Sequence, residues 1–433
     1  MKIHFIGIGG IGVSALSQYY LSQKAEVSGS DLVSSEITDF LKKKGAKIKI
    51  GKHSAKNVPH NANLVIFSPA VESTNPELLQ AKKYKLTAKS YPEALGDLTK
   101  QYFTIAVSGA HGKSTTTSMI SLVLVEAGLD PTVIVGTKLK EFGNSNFRAG
   151  KSKYLLIEAD EWNASFLNYW PKIIVLTNIE REHLDYYKNL NHILKTFKEY
   201  IGHLPKDGVL VANGDDENIS RLKIKDLRFK IKNYSLKQKE AIILKKILKV
   251  PGEHNVLNAL AALTVARILG IPDTKIFKAL SEYRGVWRRF DISKKTIAGK
   301  TITLINDYGH HPTEIKATLK ATREKFPNKK ILCVFQPHQY QRTFFLFNGF
   351  IDAFKTAPVD KTIITDIYSV AGRESTAIKK KVNSKKLTKA IAKKNIIYLA
   401  KDKITGYLKE NIKNNDVVIL MGAGDIYELN KSL

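Results

Sequence analysis

The chain has 433 residues, too many for one ordinary core, so two or three domains are expected. A hydrophobic share of 43% is that of a globular protein, and the absence of any apolar stretch of membrane-spanning length argues against a helical membrane protein. Lys and Arg number 69 against 40 Asp and Glu, a net charge of +29. The basic residues are scattered, as in KKKGAKIK, LKIKDLRFKIK and STAIKKKVNSKK, and not interleaved with stacking aromatics. That is solvated surface rather than a nucleic-acid interface.

The chain opens on KIHFIG, which reads as a first strand rather than a signal peptide, since no small-residue cleavage site follows. The lone Cys333 cannot form an internal disulfide, and a reducing cytoplasm is the expected compartment. EVSGS and NLVIFS are further strand-like runs, and VSALSQYYLSQ has helical spacing. The alternation recurs with YFTIAV, YLLIEAD and KIIVLTNI, then with TITLIND, KILCVFQ, KTIITDI and DVVILMG. Three α/β blocks built on parallel sheets are expected, with junctions near PEALGDLTK and YRGVWRRFDIS. The expected domains are 1–100, 101–285 and 286–433.

Gly7, Gly9 and Gly12 make G-x-G-x-x-G between a strand and a helix, and Asp31 ends the next strand. Glycine allows the tight turn and the close approach of a pyrophosphate to backbone, and the acid can hold a ribose hydroxyl. NAD, another nucleotide diphosphate or a purely structural turn all satisfy this pattern. A second glycine loop, SGAHGKSTTT, follows YFTIAV. Gly109 and Gly112 shape it, Lys113 suits β- and γ-phosphates, and Ser114 suits Mg2+. It is shorter than a full Walker A loop, with Val107 where that pattern has glycine. Glu158, Asp160 and Glu161 in LLIEADEW stand at a strand end from which a carboxylate can reach that ion. TNIEREHLDYY places Asn178, Glu180, His183 and Asp185 at another.

These segments, with PGEHNVLNALAAL, GVWRRFD, NDYGHHPTEIKATL and FQPHQYQRT in the same order, resemble the Mur ligases, ATP-dependent amino-acid ligases of cell-wall precursor synthesis. The resemblance covers nearly the whole chain, and NDYGHHPTE and QPHQYQRT are its most specific parts. They point to the branch that adds L-alanine to UDP-N-acetylmuramate. It implies a Rossmann-like UDP-substrate domain, a central P-loop ATPase domain and a C-terminal Rossmann-like amino-acid domain. The first loop would then hold the UDP-sugar, through Gly7, Gly9, Gly10, Gly12, Asp31 and Ser68. The second would hold ATP, through Gly109, Ala110, His111, Gly112, Lys113, Ser114 and Thr115, with Asn258 at the adenine, Asp307 at the ribose and Arg289 at the phosphates. For His254, Asn255 and Asn258 a helix start is the alternative reading.

By the same resemblance Mg2+ is held by Ser114, Glu158 and His183, and Tyr308, His310, His338 and Arg342 form the amino-acid side. Lys113, Glu158, His183 and Arg342 carry the catalysis. ATP, UDP-N-acetylmuramate and L-alanine are the implied substrates, acting on a monomer or homodimer with no nucleic acid or membrane partner. Asn306, Gln339, Glu182, Trp162 and Asn163 depart from the family pattern, which bears on the shape of the substrate pocket. Alternatives are a ligase for another amino acid, a peptide or a non-muramyl precursor; an NAD-dependent dehydrogenase, which leaves the second loop unexplained; and a nucleic-acid-dependent ATPase, which leaves the first unexplained. Lys113 is expected on a solvent-facing cradle, so that its removal spares the fold.

Overall fold

A computed structural model describes residues 1–224, 228–370, 374 and 376–433. Parts of LKIKDLRFKIK (225–227) and the first residue of STAIKKKVNSKK (375) lie outside the described residues. The chain divides into two compact units. The first comprises Met1–Ile179, Leu194–Ser235 and Ala261–Ala279; the second comprises Glu180–Ile193, Leu236–Leu260 and Leu280–Leu433.

The first unit holds two sheets. One is built from β1 (Lys2–Ile6), β2 (Glu26–Asp31), β3 (Lys47–Ile50), β4 (Leu64–Phe67) and β5 (Ala88–Ser90), in the all-parallel order β3-β2-β1-β4-β5. β1 and β4 are apolar because helices cover both faces: Phe5, Ile6, Val65 and Ile66 are all fully buried. The order reverses at β1, and the carboxyl ends of β1 and β4 open a crevice there. The other sheet has β6 (Phe103–Ser108), β7 (Thr132–Leu139), β8 (Ser145–Arg148), β9 (Tyr154–Glu158), β10 (Ile173–Leu176), β11 (Val209–Asn213) and β12 (Lys230–Tyr234), in the order β12-β11-β10-β6-β9-β7-β8.

The helix Ile11–Ser22 joins the two sheets through a buried polar seam. Gln18 donates to Asn146 Oδ1 at 2.8 Å and accepts from Ser145 Oγ at 2.9 Å, while Asn146 also donates to Ser14 Oγ at 3.1 Å. Each of these side chains is buried, and each amide is paired, so the seam carries no unpartnered cost at those groups.

The second unit holds β13 (Asp291–Ile297), β14 (Lys300–Asp307), β15 (Ile331–Phe335), β16 (Lys361–Ile364), β17 (Ile396–Tyr398) and β18 (Val417–Met421), in the order β13-β14-β18-β15-β16-β17. Helices cover both faces, giving one core around Phe335, Phe350 and Ile419 and another around Leu304, Val334 and Leu420.

Every continuous apolar run expected as a strand is one. Two antiparallel edge pairings, β7–β8 and β13–β14, are additions. β13 reads DISKKTI, mostly exposed, because an edge strand needs no continuous apolar run. Among the described residues no helix is long and apolar enough to cross a membrane.

Candidate active site

At the first cradle Gly7 has φ +75, a conformation that L side chains resist, and its N–H and that of Ile8 both donate to Ser30 O. Asp31 Oδ2 accepts from Gly9 N–H at 2.7 Å. A Cβ on Gly9 would sit 2.9 Å from that oxygen and 3.1 Å from Thr38 Cγ2. Gly10 caps the helix Ile11–Ser22, and Ser68 follows β4 beside Gly7, where a Cβ would stand 3.0 Å from Ser68 Cβ. The six residues expected here gather at the carboxyl ends of β1, β2 and β4. A seventh, Tyr91, was not foreseen: its ring would lie 2.7 Å from a Cβ on Gly12. Gly12 is therefore glycine so that Tyr91 can close over the helix start.

Gly9→Val is expected to damage the first cradle by a direct steric route. The branched side chain strikes the Asp31 carboxylate before any ligand arrives. UDP-substrate affinity should fall by about 30-fold or more, roughly 2 kcal/mol, with ATP affinity held. Calorimetry with each nucleotide decides, and loss of ATP binding alone would show the two cradles to be exchanged.

At the second cradle the helix Lys113–Glu126 starts after Gly112, which has φ +80. Its first amides therefore point at the loop. The loop is tied to the end of β10: Ala110 N–H donates to Asn178 O, His111 N–H to Asn178 Oδ1 at 2.9 Å, and Asn178 Nδ2 and Thr177 Oγ1 return to His111 O. Ser114 Oγ donates to Glu158 Oε1 at 3.0 Å, and Gly136 N–H donates to Glu158 Oε2 at 2.8 Å. A hydroxyl and a carboxylate side by side at a helix N-terminus are the hard donors Mg2+ takes.

Lys113 is not solvent-facing, and the expectation is corrected. Its side chain is 12% exposed, and Nζ lies 2.8 Å from Glu161 Oε2, 3.9 Å from Asp160, and donates to Gly109 O at 2.7 Å. Burial pulls its pKa down, but Glu161, Asp160 and Glu158 outweigh that and hold the ammonium above its usual range. Beyond Glu161 the chain passes through Asn163 and Ala164 at φ +54 and +52. Asparagine tolerates that region, and alanine there costs about 1 kcal/mol.

In the second unit, the expectation that Asp307 reaches a ribose meets a buried carboxylate that already accepts three hydrogen bonds, from Phe290 N–H, Gly309 N–H and Thr318 Oγ1. Burial raises its pKa, with Arg289 and the two amides opposing. It fixes the turn carrying Tyr308. Arg288 and Arg289 both stack on the Tyr308 ring, at 4.8 and 4.7 Å. Arg288 also donates to Gly422 O and Gly424 O, and Arg289 approaches Glu314 at 3.3 Å.

His310 and His338 have ring centroids 5.9 Å apart, and Tyr368 stacks on His338 at 5.5 Å, 9° from parallel. Burial, chiefly, lowers the two histidines to pKa values of about 3 and about 2, so both are neutral. Arg342 does not stand open. Nε and Nη2 donate to Glu182 Oε1 at 2.9 and 2.8 Å, and Nη1 contacts His338 O and Nδ1. His183 sits at φ +54, with its N–H on Glu182 Oε1. Asn258 is buried on the helix Glu253–Ile268, one turn beyond His254, whose burial lowers its pKa to about 4. Asn255 donates to Pro251 O at 2.6 Å, an arrangement in keeping with a helix start.

Among the departures, Asn306 Oδ1 is buried without a hydrogen-bond partner among the described residues, and Gln339 takes φ +71 with its N–H on Tyr368 O. Sequence reasoning missed Tyr91, Arg288, Glu314 and Tyr368. Arg288 and Glu314 stand inside GVWRRFD and NDYGHHPTE, and Tyr368 at the end of the apolar run KTIITDI, where ligands collect in such sheets; Tyr91 carried no signal.

Three family models cover the chain in succession: the Mur ligase family catalytic domain over 2–103, the Mur ligase middle domain over 107–266, and the Mur ligase glutamate ligase domain over 288–424. UDP-N-acetylmuramate–L-alanine ligases of Clostridium acetobutylicum and Clostridium tetani are 39% and 42% identical to it, over 99% of this chain and 96% of each relative. The crystal structure of the UDP-N-acetylmuramate–alanine ligase of Thermotoga maritima superposes with a TM-score of 0.81 at 28% identity, over 100% of this chain and 98% of that one. A murein peptide ligase from Psychrobacter arcticus shares the fold, with a TM-score of 0.74 at 21% identity over 100% and 98%. Two glycine loops, each between a strand and a helix of successive α/β sheets, a third sheet bearing clustered histidines and arginines, and relatives aligned end to end make this chain a member of the Mur ligase family.

Proposed function

We propose that the chain is an ATP-dependent ligase that joins L-alanine to the lactyl carboxylate of UDP-N-acetylmuramate, through an acyl phosphate, in peptidoglycan precursor synthesis. The observation that carries this is the pair of glycine loops within one unit, which supports one site for a UDP-sugar and one for ATP. The whole-length relatives named for the alanine ligation support it.

A carboxylate does not accept an amine at neutral pH, because its oxygen leaves poorly. Transfer of the γ-phosphoryl to it creates an oxygen that leaves as phosphate when the amine attacks. Positioning and charge stabilisation are most of the task. In this reading the proposed domains are 1–100 for the UDP-sugar, 101–285 for ATP and 286–433 for the amino acid. Gly7, Gly9, Gly10 and Gly12 admit the diphosphate to the backbone, with Asp31 and Ser68 at the rim.

Gly109 to Thr115 cradle the triphosphate. Lys113 leaves Glu161 for the β- and γ-phosphoryl oxygens, and Arg289 adds positive charge. Asn258 offers its amide to the adenine. Ser114 and Glu158, with His183 from the turn after β10, would hold Mg2+, which when bound neutralises charge on the transferring phosphoryl group. Tyr308, His310, His338 and Arg342 shape the amino-acid side. Neutral imidazoles there present no charge to repel the attacking amine. The cytoplasm, where ATP and UDP-sugars are made, is the proposed compartment.

Mass spectrometry of the product, with each amino acid offered separately, tests the reading. Alanine should be joined with release of ADP and phosphate, and UDP-N-acetylglucosamine, lacking the lactyl carboxylate, should give nothing. An acidic or dibasic amino acid in the product would move the chain to another branch, and hydride transfer to NAD without ADP would overturn ligation altogether.

A further inference from the structure

Glu182 and Arg342 form a buried ion pair, 6% and 7% exposed, whose two ends are used unequally. Glu182 Oε1 takes every hydrogen bond found at this carboxylate: Arg342 Nε at 2.9 Å, Arg342 Nη2 at 2.8 Å and His183 N–H at 3.1 Å. Glu182 Oε2 is buried and has no hydrogen-bond partner among the described residues. A buried carboxylate oxygen left without a donor is expensive and rare. Both side chains line a pocket, with Arg181, His183, Asp185 and Gln339. On the other side of the pair, four of the five N–H groups of Arg342 are engaged, two on Glu182 and two on His338.

An arginine in this state cannot take a substrate carboxylate in a two-bond fork without giving up a bond. A free amino acid is a zwitterion and offers both replacements at once: its carboxylate for Arg342 and its ammonium for Glu182. We propose that Glu182 is the binding residue for the ammonium group of the amino-acid substrate, through Oε2, and that the Glu182–Arg342 pair opens by exchanging each partner for the opposite end of the zwitterion. This rests on the ligase reading above. The exchange gives each buried charge a new counter-charge, so neither is left bare, which is the outcome that would be prohibitive. Asp185 lines the same pocket but is exposed, where water screens its charge. Gln339 is neutral and adds no cation, and Arg181, the other cation lining the pocket, is exposed, where water screens its charge. The arrangement selects for an amine and a carboxylate on one small molecule, and it rejects a simple acid or a simple amine.

The test compares alanine with propionate, which keeps the carboxylate and lacks the ammonium. Alanine KM, propionate inhibition and ATP KM are measured for the wild type, Glu182→Gln and Glu182→Asp. In Glu182→Gln, alanine KM should rise by about thirtyfold or more, while propionate should inhibit as well as before or better, because Arg342 is released. ATP KM should stay put, and Glu182→Asp should restore much of the alanine affinity. Parallel weakening of alanine and propionate would mean that Glu182 only positions Arg342, and an unmoved alanine KM would mean that it does neither; each overturns the proposal. Should Glu182→Gln fail to fold, the wild type still decides, since propionate binding as tightly as alanine is incompatible with an ammonium site. Absence of ADP release from wild type with alanine and UDP-N-acetylmuramate would instead overturn the ligase reading itself.

Discussion

Lys113→Ala should reduce ADP release by about 10³-fold or more, since it removes a fixed positive charge from the transferring phosphoryl group. It should also cost stability. Glu161 is 2% exposed and its carboxylate holds Lys113 Nζ at 2.8 Å, so the alanine leaves a buried carboxylate without this cation. Breaking a buried pair in this way costs about 3 kcal/mol. The two losses are separable. Lys113→Ala with Glu161→Gln should recover most of the melting temperature and none of the activity. Lys113→Arg keeps the charge but not the compact ammonium, and should remain strongly impaired. Wild-type ADP release from purified Lys113→Ala would sink the assignment of this loop to ATP.

Gly109→Ala should be nearly as damaging, for a steric reason. Gly109 has φ +132, and a Cβ there would lie 2.2 Å from Thr177 Oγ1 and 2.8 Å from Asn178 O. Asn178 O is backbone at the end of β10, which cannot retreat because β10 is paired on both sides, to β6 and β11. The loop must move instead, breaking the bonds from Ala110 and His111 to Asn178. ATP affinity should drop by about 100-fold, roughly 2.7 kcal/mol, with UDP-substrate affinity unchanged, as read by calorimetry. ATP binding at wild-type strength would show that the loop tolerates the displacement and that its geometry is not what holds the triphosphate.

Contiguous features of this protein were legible in its sequence. β10, β15 and β18 are buried on both faces, so each appears as an unbroken apolar run, and the two glycine loops announce themselves because the backbone conformations they need admit few residues. Alternating polar edge strands such as β13 leave no such trace. The pairing of Arg342 with Glu182 spans 160 residues of chain, and no periodicity links the two. Lys113 was misjudged for the same reason: a lysine in a glycine loop looks exposed until the strand β9 and the loop after it bring Glu161 against it. Tyr91 was invisible because the glycine it covers has reasons enough of its own in a nucleotide loop.

The polar seam between the helix Ile11–Ser22 and the β7–β8 hairpin bears on reaction geometry. That helix begins at the first cradle, and β7 pairs with β9, which ends at Glu158. Gln18, Ser14, Ser145 and Asn146 therefore register the edge that carries the first glycine loop against the edge that carries Glu158, as a spacer gauge sets two jaws before a workpiece is inserted. A carboxylate and a γ-phosphoryl group must meet in line within a few tenths of an ångström. In the proposed ligation the coarse part of that alignment is a property of the folded unit, and the ligands supply the remainder.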